Sequence, residues 1–332
     1  MREMTKQAGG MKIVAAALGL LAGTVGANAQ AYPARPITMI VPFGAGGPTD
    51  AVARILGERM RQSLGQTVVV ENVTGAAGTI AVGRAVRATP DGYTMLMGNW
   101  PTQVVNGAIY QLPYDLLNDF EPVALLPNNP YIVVSRSTLP ANNLQELIGW
   151  LKANADKASG GTAGPGSGQH VSGLYFQKVT GANFQFVPYR AGSSDIMRDL
   201  VAGHIDISFD QAISALPYVR NGQVKAYAVT SKTRLAAAPN IPTIDEAGAP
   251  GVYISTWFGL WLPKGAPAEA VEKINAAAME ALADPAVRQR LTDLGQEIPP
   301  REQQTAAALA AHHKAEIEKW WPIIKGANIK VE

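Results

Sequence analysis

Twice in this chain a glycine-rich loop leads directly into a helical pattern. The first follows the apolar run Ile37–Val41 and reads Pro42-Phe43-Gly44-Ala45-Gly46-Gly47-Pro48-Thr49-Asp50, then AVARILGERMRQSL. The second is SGGTAGPGSGQH, from Ser159 to His170, with Ser167 placed to cap a helix through Val171, Leu174 and Tyr175. A strand that ends in glycines and enters a helix leaves backbone N–H groups aimed at open space, because the first-turn donors have no partner inside the helix. Such a place suits an anion.

Around these loops the chain alternates strand and helix patterns. Thr67–Glu71 reads as a strand, Gly75-Ala76-Ala77-Gly78-Thr79 as a turn into a helix ending near Arg87, and Tyr93–Met97 as a third strand ending at Asn99-Trp100-Pro101. That grammar predicts a parallel sheet, whose carboxyl edge is where such sheets hold ligands. The stretch from Tyr110 to Pro130, rich in Pro, Asn and Asp, reads as a crossing segment rather than a core element. Tyr131–Ser135 opens a second unit. A helix over Leu144–Ala155 follows, then Phe184–Tyr189, Ser194–Ala202, Ile205–Phe209, Ile213–Arg220 and Val224–Thr230 alternate as strand and helix. After a proline- and glycine-marked exit, Trp257–Leu262 reads as an apolar strand. Helices over Ala268–Ala283 and Ala306–Ile324 are expected to return over the first domain. The 332 residues suffice for two α/β domains, 32–130 plus 252–332 and 131–251, with a cleft between them.

The N-terminus has another purpose. Lys6 and Lys12 precede the apolar run Ile13–Leu21, and Ala27-Asn28-Ala29 and Ala29-Gln30-Ala31 each offer a signal-peptidase pattern. Residues 1–29 therefore read as a signal peptide cleaved near 29–31, with Met11 as an alternative start, and a Gram-negative periplasm fits best. The chain has no cysteine, hence no lipid-attachment cysteine, disulfide or thiolate ligand. Three of the 28 basic residues and one of the 26 acidic residues fall in that segment, so the remainder is balanced. A balanced surface without basic runs argues against nucleic acid as a partner.

Catalytic and metal motifs do not assemble. Around Ser167 the positions a nucleophile elbow reserves for glycine are Pro165 and Gln169, and neither loop ends in the Lys-Ser/Thr of a P-loop. His312 and His313 are expected on solvated faces. His170 could contact a ligand or act as a base, but with no orienting partner visible the stronger reading is that it orders its loop. Asp50 beside an anion site would repel the ligand, so it is read as a cap or a brace accepting backbone N–H bonds. Asp210 either braces the cleft or meets a donor group. Trp257, Phe258 and Trp261 read as core or hinge packing. Micromolar binding needs about 8 kcal/mol, whereas a helix end supplies roughly 0.3–2 and a charge-assisted hydrogen bond roughly 1.5–3. Two loops closing on one small carboxylate, with burial of its apolar part, can reach that figure.

These motifs, together with Pro90-Asp91-Gly92-Tyr93, Val187-Pro188-Tyr189-Arg190 and Ile205-Asp206-Ile207-Ser208-Phe209-Asp210, resemble the Bug/TctC family of periplasmic solute-binding proteins of tripartite tricarboxylate transporters, over essentially the whole mature chain. The resemblance implies a type II periplasmic-binding-protein fold and a pincer that holds a ligand carboxylate through backbone amides and ordered waters. On this sequence the pincer comprises Phe43, Gly46, Gly47, Pro48, Thr49 and Asp50 on one side and Gly164, Gly166, Ser167, Gly168 and His170 on the other, with Thr79 and Asp210 nearby. It further implies a small organic acid as ligand, two integral-membrane permease subunits as partners, a monomer, and no catalytic residue, metal or cofactor. A sensor module presenting its ligand to a membrane receptor, or an extracytoplasmic hydrolase using Ser167 or His170, are the alternatives.

Overall fold

A computed structural model describes residues 32–189 and 192–327. The signal segment, its cleavage positions and Arg190 lie outside the described residues. β1 (Ile37–Val41) runs into α1 (Pro48–Leu64), β2 (Val68–Asn72) into α2 (Thr79–Val86), and β3 (Thr94–Asn99) into a π-type turn (Pro101–Val105) and α3 (Asn106–Ile109). The long strand β4 (Phe120–Arg136) leads to α4 (Leu144–Ala153), β5 (Ser159–Thr162), α5 (Gly168–Thr180), β6 (Gln185–Pro188), α6 (Ser193–Ala202), β7 (Ile207–Gln211), α7 (Ala212–Arg220) and β8 (Val224–Val229). β9 (Ser255–Pro263), α8 (Ala268–Ala283), α9 (Pro285–Asp293) and α10 (Ala306–Gly326) close the chain.

The strands form one continuous sheet in the order β2-β1-β3-β9-β4-β7-β5-β6, with β8 also paired to β4. β1 is parallel to β2 and β3, and β5 is parallel to β6 and β7. The expected all-parallel sheets are instead mixed: β9 runs antiparallel between β3 and β4, and β4 is antiparallel to β7 and β8. Strand β4 crosses the molecule. Its first part, Phe120–Pro130, pairs with β9, and its second, from Tyr131, pairs with β7 and β8. The segment read as a crossing is therefore also core, since Val123 to Leu126 are buried. Pro127 falls within the register shift between Leu125 and Asn128, and Pro122 borders the one before Ala124, while Pro130 pairs in register with Ser255. A second correction is β5, a four-residue strand where the sequence suggested loop.

Both faces of the first half are covered, which is why its strands read as nearly unbroken apolar runs. Ile37, Met39 and Val41 face α1 and α8, while Ile40 faces the cluster that holds Ala81, Trp100 and Trp261. Along α1, Val52, Ala53, Leu56, Met60 and Leu64 form the buried stripe, and Gly65 at φ +67 ends the helix. The closing helices do more than cover the first half. Trp320 of α10 packs edge-on to Trp100 at 5.0 Å and to Tyr175 of α5 at 5.3 Å, so α10 touches both halves. Trp257, Phe258 and Trp261 are buried, in the packing role the sequence suggested. His313 is not solvated: it is buried, and its Nε2 meets the Gln103 carbonyl at 2.7 Å. Since a carbonyl only accepts, Nε2 carries the proton. Burial pushes the His313 pKa down to about 4, against the opposing pull of that hydrogen bond. His312 likewise lies edge-on to Trp257 at 4.8 Å.

Candidate functional site

The first glycine loop leaves the carboxyl end of β1 and enters α1 through Gly47, which caps the helix without a side-chain bond; Pro48 occupies the first helical position. Asp50, buried to 2% exposure, folds back beneath the loop. Its carboxylate accepts from the Gly46 N–H at 2.8 Å, from Arg54 Nε at 2.9 Å and from Asn72 Nδ2 at 2.9 Å. Asn72 Nδ2 also donates to the Phe43 carbonyl at 2.9 Å. Burial alone would raise the Asp50 pKa, but the bonds from Arg54, Gly46 and Asn72 and the Arg54 charge outweigh it and hold the carboxyl below its usual range. The charge that would repel an anion is thus spent on bracing the loop and balanced by a guanidinium. Thr49 is buried beside it, its hydroxyl accepting from Asn99 Nδ2 at 3.2 Å at the end of β3.

Against this loop stands the Gly75–Gly78 turn, in which four consecutive residues have positive φ: Gly75 +119, Ala76 +44, Ala77 +52 and Gly78 +88. For two alanines that conformation is strained. A Cβ on Gly78 would stand 3.0 Å from Pro42 Cβ and 2.8 Å from Thr102 Cγ2, so the turn is pressed onto the start of the first loop. Asn106 Nδ2 holds the Ala77 carbonyl at 2.9 Å. Thr79 begins α2, with its hydroxyl turned back onto the Ala76 carbonyl at 2.9 Å.

The second loop leaves the carboxyl end of β5. Thr162 Oγ1 accepts from the Gly164 N–H at 3.2 Å, and Ser167 caps α5 by accepting from the His170 N–H at 3.3 Å. The His170 ring turns inward and its Nδ1 accepts from the Gly166 N–H at 3.1 Å, while the ring lies edge-on to Phe186 at 4.5 Å. Burial pushes its pKa down to about 4, so it is a neutral acceptor at physiological pH. Ser167 meets the backbone of His170 rather than its ring, which is not the nucleophile–base contact a hydrolase requires.

The two loops belong to one neighbourhood. A Cβ on Gly166, at φ +78, would lie 2.7 Å from Ile109 Cδ1 in α3, so the second loop abuts the segment that follows β3 in the first half. Gly168 sits directly on the Tyr131 hydroxyl, which bonds Thr256 Oγ1 at 2.7 Å on β9. Asp210, expected just beyond its strand, is instead inside β7, whose span is shifted two residues toward the C-terminus. It is fully buried. Its Oδ1 accepts from Ser193 Oγ at 2.7 Å and from the Gln211 N–H at 2.8 Å, and Gln169 Nε2 of α5 donates to Ser193 Oγ at 3.1 Å. Burial pushes the Asp210 pKa up to about 7 despite those two donors.

Sequence reasoning missed residues that position the loops, Arg54, Asn72, Thr162, Gln169 and Ser193, and it placed Asn99 at a ligand-holding strand end without giving it a role. Asn72, Asn99 and Thr162 stand at the carboxyl ends of strands, a placement that was readable once the strands were assigned. A separate polar cavity of about 270 Å³, lined by Asn128, Thr230, Lys232, Glu297, Glu316 and Lys319 among others, contains no residue of either loop. Among the described residues no helix is long and apolar enough to cross a membrane, and no cluster of His, Asp and Glu could hold a metal ion.

Comparison with known proteins points to one family. The model of the tripartite tricarboxylate transporter family receptor, TctC, matches residues 52–329. BugT of Bordetella pertussis is 32% identical over 324 residues, spanning 96% of this chain and 98% of its own. The periplasmic binding protein BugD superposes with a TM-score of 0.82 at 39% identity, over 91% of this chain and all of BugD. MatC of Rhodopseudomonas palustris, solved with bound malate, gives 0.81 at 37% identity, over 88% of this chain and all of MatC. With its curled mixed sheet and its loops at the strands' carboxyl ends, the chain belongs to the Bug/TctC family and is a periplasmic solute-binding protein of that type.

Proposed function

We propose that this protein captures a small organic carboxylate between its two glycine loops and delivers it to the two membrane subunits of a tripartite tricarboxylate-type permease, after export directed by residues 1–29. The observation that carries the reading is the presence of two strand–loop–helix junctions from distant parts of the chain, one braced by Asp50 and the other by Thr162 and His170, the second lying against Ile109 in the segment after β3. The N–H groups of Phe43, Gly44, Ala45 and Thr49 in the first loop and of Gly168 in the second face the ligand carboxylate in this reading, while those of Gly46, Gly164 and Gly166 brace the loops themselves. Asp50, Thr79, Ser167 and His170 hold those donors in place. Residues 32–130 with 252–332, and residues 131–251, act as two domains that close about the crossing strands β4 and β9. MatC carries malate in its solved structure, which supports a carboxylic acid as the ligand class.

The experiment is calorimetric titration of the mature chain with a panel of mono-, di- and tricarboxylic acids, paired with thermal unfolding. A ligand that binds only the folded protein stabilises it by about 2.7 kcal/mol at a hundred times its Kd. At least one acid is therefore expected to give both heat and a raised Tm. Silence in both measurements across the panel would remove carboxylates as the ligand class.

A further inference from the structure

We propose that the polar cavity beside the crossing strands is a second ligand site, separate from the glycine loops, and that it takes a small zwitterion carrying one ammonium and one carboxylate, a short amino acid. The inference is independent of the carboxylate reading above. The cavity lies where the two halves of the sheet join. Asn128 stands in β4 just before its partners change at Tyr131, Thr230 follows β8, Ser255 opens β9, and Glu316, Lys319 and Trp320 come from α10. Its walls are held by their own bonds. Asn128 and Glu297 exchange backbone hydrogen bonds at 2.9 and 2.7 Å, and Thr230 Oγ1 donates to the Ile254 carbonyl at 2.6 Å while accepting from the Tyr131 N–H at 2.9 Å. A volume of about 270 Å³ falls just below the roughly 300–1,000 Å³ of pockets for drug-sized ligands, so the occupant is small.

The charges of the lining decide the ligand class. Glu297 and Glu316 are half-buried, whereas Lys232 and Lys319 are exposed. Glu297 accepts from two neutral donors, Thr233 Oγ1 at 3.2 Å and Asn128 Nδ2 at 3.0 Å, and Glu316 Oε2 accepts the indole N–H groups of Trp257 at 3.2 Å and Trp320 at 3.1 Å. Among the described residues neither carboxylate and neither lysine joins an ion pair. Burial raises the Glu297 pKa despite its donors, as expected of a carboxylate with no cation beside it. His312, one turn before Glu316 on α10, has its pKa lowered by burial and supplies no cation at neutral pH. The ammonium groups rest instead on aromatic faces, Lys232 5.1 Å from the Tyr253 ring centre and Lys319 4.7 Å from that of Trp320. Two negative and two positive groups thus line one small space without neutralising each other. A simple cation there meets two like charges, and so does a simple anion, whereas a zwitterion turns its ammonium to the glutamates and its carboxylate to the lysines. A metal ion is a poorer fit, since no three acidic or histidine side chains converge among the described residues.

The test is calorimetric titration of the mature protein with glycine, β-alanine and γ-aminobutyrate, beside methylamine and acetate as probes of a single charge, with the indole N–H resonances of Trp257 and Trp320 followed by NMR. At least one amino acid is expected to bind at least tenfold more tightly than methylamine or acetate and to shift both indole signals, because both donate to Glu316. Glu297→Gln keeps the shape and an acceptor for Asn128 and should weaken that amino acid tenfold or more. Lys232→Gln combined with Lys319→Gln removes two exposed charges and should weaken it at least fivefold. Gly168→Ala disturbs the second glycine loop and should leave it within threefold, which separates this site from the loops. No heat and no indole shift with any of the three amino acids overturns the proposal, as does methylamine or acetate binding equally well. Binding that survives Glu297→Gln but is lost in Gly168→Ala places the zwitterion in the loops and overturns it too. If Glu297→Gln does not fold, the double lysine variant decides, and an unchanged affinity there is fatal to the assignment.

Discussion

Asp50→Ala is expected to leave the protein folded yet weaken ligand binding a hundredfold or more. The stability effect is moderate because the groups left behind can find other partners. Gly46 is exposed, the Arg54 side chain is 54% exposed, and Asn72 keeps the Phe43 carbonyl. The folded state should therefore lose about 2 kcal/mol, nearer one hydrogen bond to a charge than three. Binding suffers more. Without the carboxylate nothing ties Gly46 to α1, and each backbone residue fixed anew on binding costs roughly 1–2 kcal/mol. Re-ordering two of them removes about 3 kcal/mol, which is the hundredfold. Calorimetry with the tightest acid reads the affinity and urea unfolding reads the stability. A variant binding as well as wild type would show that the loop does not need its brace. The same residue sets a pH trend. Its folded pKa is lowered, so its contribution to stability is complete above the unfolded value near pH 3.9 and is lost as pH falls through the folded value. Asp50→Asn should accordingly flatten the acid limb of the stability curve below about pH 4.

What the residues disclosed in advance was whatever is local. The glycine clusters, the stripe on α1 and the Ser167 cap are set by neighbours a few positions away, and each is found where the pattern placed it. The first part of β4, Phe120–Pro130, was hidden because Pro122, Pro127 and Pro130 advertise a loop, while its ladder to β9 is made with residues 125 or more positions distant. β5 was hidden for the opposite reason. Its SGGT has no apolar side chain to announce a strand, yet the strand exists because Phe184 lies over Gly160 and Ile196 and Ile205 over Gly161, each of which would collide with a Cβ. The burial of His313 depends on α10 lying across Gln103, a tertiary fact that a helical period does not carry. In the loops the glycines were legible and their supports were not, because Asn72, Thr162 and Ser193 gain their meaning only from the strand ends that the fold brings together.

Gly168→Ala is expected to abolish binding, and Tyr131→Phe placed on top of it to restore part of what is lost. Gly168 opens α5, and a Cβ there falls well inside van der Waals contact of the Tyr131 hydroxyl. Tyr131 cannot yield. It is fully buried, its N–H donates to Thr230 Oγ1 at 2.9 Å, and its hydroxyl is bonded to Thr256 at 2.7 Å. The start of α5 must therefore lift, carrying Ser167 and the Gly166–His170 bond with it, for an overpacking cost of about 1–3 kcal/mol. Removing the hydroxyl takes away the nearest atom, although the ring Cζ would still stand 2.8 Å from the new methyl, so relief is partial. Tyr131→Phe alone leaves the Thr256 hydroxyl without its partner and costs about 1 kcal/mol. Two independent lesions would add, whereas these share one contact, and the double variant should be more stable and bind more tightly than Gly168→Ala alone. Additive losses in stability and affinity would mean that the second loop is not seated on Tyr131, and that the crossing strand does not set its position.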